Sequence, residues 1–354
     1  MKIRLIFLLP LIVLAVAQAA WSWGGRDHRL IVQLALRHVP PALAAFLEDE
    51  LDEVLRGSID PDRRLMDSAN HSYNLEDGTL NNPRHVAYLS SALVSMIRNG
   101  APREKVAYWF GALSHYVADI DQPLHTSDKD KRESPYHLLF EGLDYGFESH
   151  GHLLGVEIGI KVGRALSGWE FQYDGKLDVI EDVEAWQVEN ARWSNAYYDE
   201  IRRIYTEDDA FDAERLQEIY RTCIDEAVDD VIDLWAHVYR AVGGGAIDLP
   251  PASDVLILDV DKKGRVRASG ERLKGEKLQE AIRGYASRSP AGDASVPAVY
   301  LEVDDRCSPR LIKPLEEICT QSGIHRVSTL RTCKGPWTSR LYRAVKVHAA
   351  ALAK

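Results

Sequence analysis

Cysteine is scarce: Cys223, Cys307, Cys319 and Cys333 are the whole complement of 354 residues. Four thiols are too few for a disulfide scaffold, and with no CxxC spacing among them they are not zinc ligands. In an oxidising compartment two of the last three could pair, with the partners left open. A basic excess is also missing. Forty-three Lys and Arg against 54 Asp and Glu leave a net charge of −11. That balance disfavours a broad surface for polyanions and makes nucleic acid a less natural partner, although local clusters such as Arg202-Arg203 remain. Beyond the leader, no apolar run is long enough to cross a bilayer as a helix. The composition that is left, 45% hydrophobic and 27% charged, is too apolar for disorder and supports more than one core.

At the start, Lys2 and Arg4 precede an apolar run from Leu5 to Ala17 and then small residues, the layout of a secretory signal peptide over residues 1–22. A cut after Ala19 satisfies the small-x-small rule with Ala17, whereas a cut after Ser22 satisfies it with Ala20 and leaves Trp23 first. Export to the periplasm or the medium is expected, with no transmembrane helix once the leader has gone; an uncleaved leader would be a membrane anchor. Loss of Lys2 and Arg4 takes the net charge to −13 (−11 minus 2).

Residues 23–242 carry a helical period, with apolar residues recurring at three and four. Helices are expected over 31–39, 41–55, 86–98, 103–120, 137–147, 155–166, 184–205 and 212–240, which makes this an all-α domain. Gly243-Gly-Gly245 through Pro250-Pro251 breaks the pattern, and residues 243–252 read as a linker. Alternation then begins. Strands at 255–260 and 265–268 around an Asp261–Gly264 turn, a helix at 273–286, a strand at 298–303, a helix at 309–322 and a strand at 326–330 form a small α+β domain over 253–335. A basic helical tail, 336–354, ends the chain.

The chemistry concentrates in His115-Tyr-Val-Ala-Asp119-Ile-Asp-Gln-Pro123-Leu-His125. If the stretch before the proline is helical, His115 and Asp119 share a face and reach a common metal. Pro123 ends the turn, and His125 projects from the exit. Twelve residues on, His137 and Glu141 repeat the four-residue spacing and add a nitrogen and a hard oxygen that zinc accepts. Taken singly, each histidine is more often a satisfied core residue than a ligand. Together the two pairs point to metal. His38, His85, His150, His152, His237, His325 and His348 lack such company and are taken as structural.

These residues resemble zinc-dependent phospholipase C and the single-strand-specific zinc nucleases. The likeness rests on the HxxxDxxxPxH run, the HxxxE pair, Trp23-Gly-Gly-Arg-Asp-His28, and Asp60-Pro-Asp62 leading to His71, within about residues 21–240. The resemblance implies up to three zinc ions. One would be held by Asp62, His71, His115 and Asp119, and a second by His125, His137 and Glu141. The third would take His28, the other oxygen of Asp119, and the amino nitrogen and carbonyl oxygen of the first mature residue, Trp23 or else Trp21. Asp62 would orient or deprotonate the attacking water. Asp60 competes for that part, and the spacing to His71 leaves both open.

The departures bear on substrate. The stretch from Thr126 to Pro135 is short and charged, so no long substrate loop is evident there. Glutamate at 141 is nearer the phospholipase pattern than the nuclease pattern. Tyr73, Tyr88, Tyr116 and Tyr136 are candidates for a head-group pocket, though helical aromatics are more often core. The C-terminal order resembles the periplasmic domain of the ExbD/TolR transport family, including Gly270-Glu-Arg-Leu273 and Ser322-Gly-Ile-His-Arg-Val327. That second resemblance implies a protein partner or a dimer through residues 253–335. The expectation is thus an exported zinc phosphodiesterase of phospholipase C type acting on a phospholipid or its head group, with an accessory binding domain. A zinc nuclease or phosphatase is one alternative, and a non-catalytic transport-accessory binder with a structural zinc cluster is the other.

Overall fold

The computed structural model describes residues 23–65, 67–141, 148–153, 156–161, 165–207, 212–287 and 297–332. The expected leader, Cys333, the basic tail and residues 142–147 lie outside them. Among the described residues no helix is long and apolar enough to cross a membrane.

The chain forms two compact units. The first draws on residues 23–39, 68–87 and 113–237, and the second on residues 40–67, 88–112 and 238–332. Helix α1 is Gly25–Ala35, followed by α2 Pro41–Asp49 and α3 Leu51–Gly57. Helices α4 and α5 are Asn82–Arg98 and Arg103–Ile120, and α6 is Glu133–Glu141. Helices α7, α8 and α9 are Val183–Asn195, Tyr198–Thr206 and Ala213–Ala241. Every residue from Val106 to Ile120 is buried. A helix apolar all round belongs inside a core, so the few polar groups it carries, Ser114, His115 and Asp119, must find partners there.

In the second unit, α3 and α5 cross through glycines. A Cβ on Gly57 would run into the Tyr108 carbonyl oxygen, and one on Gly111 into that of Val54. Both obstacles are backbone, so neither side can yield cheaply. Gly111→Ala should cost roughly 3 kcal/mol, at the upper end for overpacking. A drop of several degrees in thermal midpoint checks this; an unchanged midpoint would show that the helices part freely.

The five-stranded sheet of this unit is ordered β5-β4-β3-β6-β7, with β3 Leu256–Val260, β4 Val266–Ala268, β5 Glu271–Leu273, β6 Ala298–Asp304 and β7 Arg326–Thr332. Strand β3 pairs antiparallel with β4 and parallel with β6, and β6 pairs parallel with β7. Helices α10 Glu276–Ala286 and α11 Pro309–Gln321 make the crossovers. Leu258, Val260, Leu301, Val303, Ile282 and Ile312 fill the core between sheet and helices. Cys307 and Cys319 are buried free thiols there. The segment after α9 is tied down. Pro250 O accepts from Arg103 N at 2.9 Å, and the Glu104 carboxylate accepts from Ala252 N at 2.9 Å. Lys105 pairs with Glu302 at 2.9 Å, and the Tyr88 hydroxyl accepts from Arg331 N on edge strand β7 at 2.7 Å.

Several expected elements are corrected. Where a helix was expected at 155–166, strands β1 Glu148–Leu153 and β2 Val156–Lys161 pair antiparallel. Val156, Ile158 and Ile160 alternate with period two, which is a strand pattern. The expected helix at 273–286 starts instead at Glu276, after strand β5. Ser269 and Gly270 both take positive φ, 47° and 81°, and Ala268 pairs with Glu271. That two-residue turn makes a hairpin whose twist suits its strands. The helices expected at 41–55 and 184–205 are each broken in two, the first at Glu50, whose φ and ψ of −117° and 29° are not helical.

Candidate metal centre

Helix α5 places His115 and Asp119 one turn apart, both fully buried. His28 reaches the same carboxylate from α1, and His71 from the loop after a 3-10 turn, Ser68–Asn70. Asp119 Oδ2 lies 2.8 Å from His71 Nδ1 and 3.3 Å from His115 Nε2, while its Oδ1 lies 3.4 Å from His28 Nε2. The His28 and His115 rings stack at 3.8 Å. Each oxygen of Asp119 therefore faces a different set of imidazoles. Helix α5's last turn is fixed from outside. Asn82 donates to Tyr116 O at 2.7 Å, and Ser194 donates to Ile120 O at 2.6 Å.

A second group forms beside the helix exit. Gln122 caps the 3-10 turn Pro123–His125 by accepting from Leu124 N, which swings His125 toward α6. There Glu141 Oε1 lies 2.8 Å from His137 Nε2 and 3.5 Å from His125 Nε2. Behind them Glu133 holds His137 Nδ1 at 3.0 Å, the carboxylate support that a ligating histidine commonly has. The Gln122 amide donates to Glu141 at 3.2 Å. The two groups are linked, since His125 Nδ1 lies 3.1 Å from His71 O. His71, His115 and Asp119 converge closely enough to share one cation, and so do His125, His137 and Glu141.

Electrostatics favour a cation in both places. Burial would raise the Asp119 carboxyl, but His115, His28 and His71 hold it well below the usual range. Burial would lower His137, yet Glu141 and Glu133 outweigh it and push the imidazole up to about 10. Burial likewise works against the Glu141 carboxylate, and His137 and His125 overcome it. Without metal, His137 therefore holds a proton at neutral pH that a metal must displace. Zinc binding should release close to one proton from this group between about pH 7 and the His137 value of about 10. Calorimetry in buffers of different ionisation enthalpy measures it, and His137→Gln should abolish it. A buffer-independent heat in the native chain would refute the assignment. In the metal-free protein, the stability from a raised His137 is present below its ordinary value near 6.5 and lost as pH rises through about 10.

Of the residues expected at the site, His28, His71, His115 and Asp119 come together, as do His125, His137 and Glu141. Trp23 is fully buried, and its indole donates to Ala118 O at 2.7 Å, the residue before Asp119. Asp62 sits in the second unit, in a π-helical turn, Pro61–Leu65. In that unit Asp60 accepts from Arg64 at 3.0 Å and bonds the Tyr108 hydroxyl. Tyr116 and Tyr136 are core residues, and Tyr88 serves the sheet edge. Three residues escaped the sequence reading: Gln122, Glu133, and Asp121, whose buried carboxyl pairs with that of Asp230. Glu133 stands four residues before His137, so its helical spacing was the available signal.

The family described as zinc dependent phospholipase C matches residues 27–207, just over half of the chain. Among solved structures, alpha toxin from Clostridium absonum is similar at 17% identity and a TM-score of 0.42, over 63% of this chain and 65% of the toxin. Clostridium perfringens alpha-toxin from the avian strain SWCP is similar at 14% identity and a TM-score of 0.41, over 64% of this chain and 66% of that one. The chain thus spans just under two-thirds of the length of these toxins. No curated protein sequence matches it.

Proposed function

The chain belongs to the zinc-dependent phospholipase C family, and from that premise we propose that it is an exported phosphodiesterase that cleaves a phospholipid, or a related phosphoester, at a tri-zinc site. The observation that carries this reading is Asp119, a fully buried carboxylate with one oxygen toward His71 and His115 and the other toward His28. A bridging carboxylate is what closely spaced cations need to offset their repulsion. The donor set fits zinc, being imidazole nitrogen and carboxylate oxygen in compact buried groups.

Zinc, when bound, supplies a lowered pKa for water and charge stabilisation at the phosphoryl oxygens. The protein does the rest. Asp119 would be the carboxylate shared between two of the ions, with His71 and His115 as ligands on the side of one of its oxygens and His28 on the side of the other. His125, His137 and Glu141 form the second set, with Glu133 and Gln122 fixing ring and carboxylate orientation. Asp62 is assigned as ligand and as the group that orients water and takes its proton. Asp60 is already committed to Arg64 and Tyr108, which supports this choice. Trp23, freed as the first mature residue, would add its amine and carbonyl to the His28 set, and extra residues before it should weaken one zinc.

The C-terminal unit is proposed to be of ExbD/TolR type, supported by its strand and helix order, and to offer contacts to a protein partner. Zinc-loaded full-length protein should hydrolyse a phosphocholine ester faster than single-stranded nucleic acid. The reverse preference would make it a nuclease. Full metal occupancy with no activity on a broad phosphoester panel would make the cluster structural.

A further inference from the structure

His71 differs from the other members of the two buried groups in where it stands. His28, His115, Asp119, His137 and Glu141 lie on helices, and His125 lies on a capped 3-10 turn. His71 follows the short turn Ser68–Asn70 and belongs to no helix or strand. A helical side chain takes its direction from a regular backbone, whereas a loop side chain is aimed by whatever holds the loop.

Asn82, the first residue of α4, holds this loop on both sides of the histidine, and it is fully buried. Its side-chain amide donates to Asn70 O at 3.0 Å, and its backbone N–H donates to Ser72 O at 3.3 Å. The residues before and after His71 are thus tied to one partner. The same side-chain amide also donates to Tyr116 O at 2.7 Å, on the residue that follows His115. Carbonyl oxygens only accept, so these two bonds use both amide hydrogens and leave Asn82 Oδ1 as the acceptor. Gln187 Nε2, from α7, donates to it at 3.1 Å.

The bond to Tyr116 falls where α5 needs support. The closing carbonyls of a helix lack intrahelical partners, and around this turn other side chains supply them. Trp23 Nε1 donates to Ala118 O at 2.7 Å, and the Ser194 hydroxyl donates to Ile120 O at 2.6 Å. Asn82 adds to this support the hold on the His71 loop. The precision required is high, because His71 Nδ1 lies 2.8 Å from Asp119 Oδ2 and 3.2 Å from His115 Nε2. With zinc bonds to nitrogen of about 2.0–2.1 Å, a small swing of the loop would carry this ring out of reach of a shared ion.

We propose that Asn82 is a positioning residue of the metal centre, whose amide locks the His71 loop to the last turn of α5 and so sets the His71 ring against His115 and Asp119. The inference rests on the reading of those three residues as ligands of one ion. Asparagine suits the task because one small planar group brings two donors and an acceptor. Alanine would leave two buried carbonyls short of a donor, and aspartate would set a carboxylate against them.

Zinc affinity is measured on the full-length protein by competition with a chromophoric chelator, in four chains: native, Asn82→Ala, His71→Ala and the double variant. Asn82→Ala should weaken one zinc ion by about 10- to 100-fold, the usual loss when a group that orients a ligand is removed. His71→Ala should weaken the same ion at least as much. In the double variant the asparagine change should add less than about threefold, since a residue that acts through His71 has nothing left to aim. Val86→Ala, one turn along α4 and also fully buried, is the control: its thermal midpoint should fall while zinc affinity stays within about threefold of native. Should Asn82→Ala prove too unstable to purify, Asn82→Ser keeps one donor and carries the same cycle. Native zinc affinity in the asparagine variant would overturn the proposal. An equal loss with and without His71, or a matching loss in Val86→Ala, would also overturn it and make Asn82 a residue of general stability. Native zinc affinity in His71→Ala would refute the ligand assignment and the positioning role with it. The expected cycle in a protein without phosphoester activity would sink the enzymatic reading and leave the role of Asn82 standing.

Discussion

Asp119→Ala is expected to release more than one zinc ion per chain and to lower phosphodiester hydrolysis by roughly three orders of magnitude or more, as loss of metal-borne charge stabilisation implies. The reasoning is geometric. His28, His71 and His115 all lie within 3.4 Å of its two oxygens, so one truncation removes the shared anion from both sides at once. Neutral imidazoles left facing each other cannot balance adjacent dications. Asp119→Asn keeps the shape and loses the charge, and should lose metal nearly as completely. Glu141→Gln, by contrast, touches only the second group and should release a single ion. Metal content by mass spectrometry separates these cases. Unchanged zinc in Asp119→Ala would defeat the bridging role.

Much of this site was legible because its chemistry is local. His115 and Asp119 sit on one helical turn, and His137 and Glu141 on another, so spacing alone shows that each pair shares a face. The third dimension was less accessible. Nothing in the order of residues says that His28 stacks on His115, or that His125 Nδ1 rests on the His71 carbonyl. Gln122 was hidden by its position, because a glutamine before proline reads as a turn residue until its amide is seen on Glu141. The strands were legible where a short run rich in apolar and β-branched residues stands alone, as in β6, whose Ala298-Val-Tyr-Leu301 run is buried throughout. The β1–β2 hairpin was lost because Gly151, Gly155 and Gly159 interrupt a run whose β-branched residues carry the signal. Strand β5 was lost to the Ser269-Gly270 turn, whose left-handed pair specifies a hairpin more strongly than its length suggests.

The glycine and proline linker suggests that a chain ending near Val242 would fold alone, because few contacts normally cross such a segment. The contacts within the second unit argue for the opposite outcome. Residues 103–105 of α5 hold Pro250, Ala252 and Glu302 through a backbone bond, a carboxylate and an ammonium in turn. Lys105 also lies over the ring of Tyr300, 5.9 Å from its centroid, and Tyr300 is fully buried. Truncation would strip these partners from the same helix that ends in His115 and Asp119. Uncovering even two or three large side chains costs about 4 kcal/mol or more. For a folded body of this size that is a fall of roughly 10 °C in thermal midpoint. The expected result for the chain ending at Val242 is therefore a much less stable protein whose zinc content and activity on a small soluble phosphoester fall together, restored in part by supplying excess zinc. A truncated chain with native midpoint, native zinc and native rate would show that the sheet is a passenger and that the linker's composition told the truth about its independence.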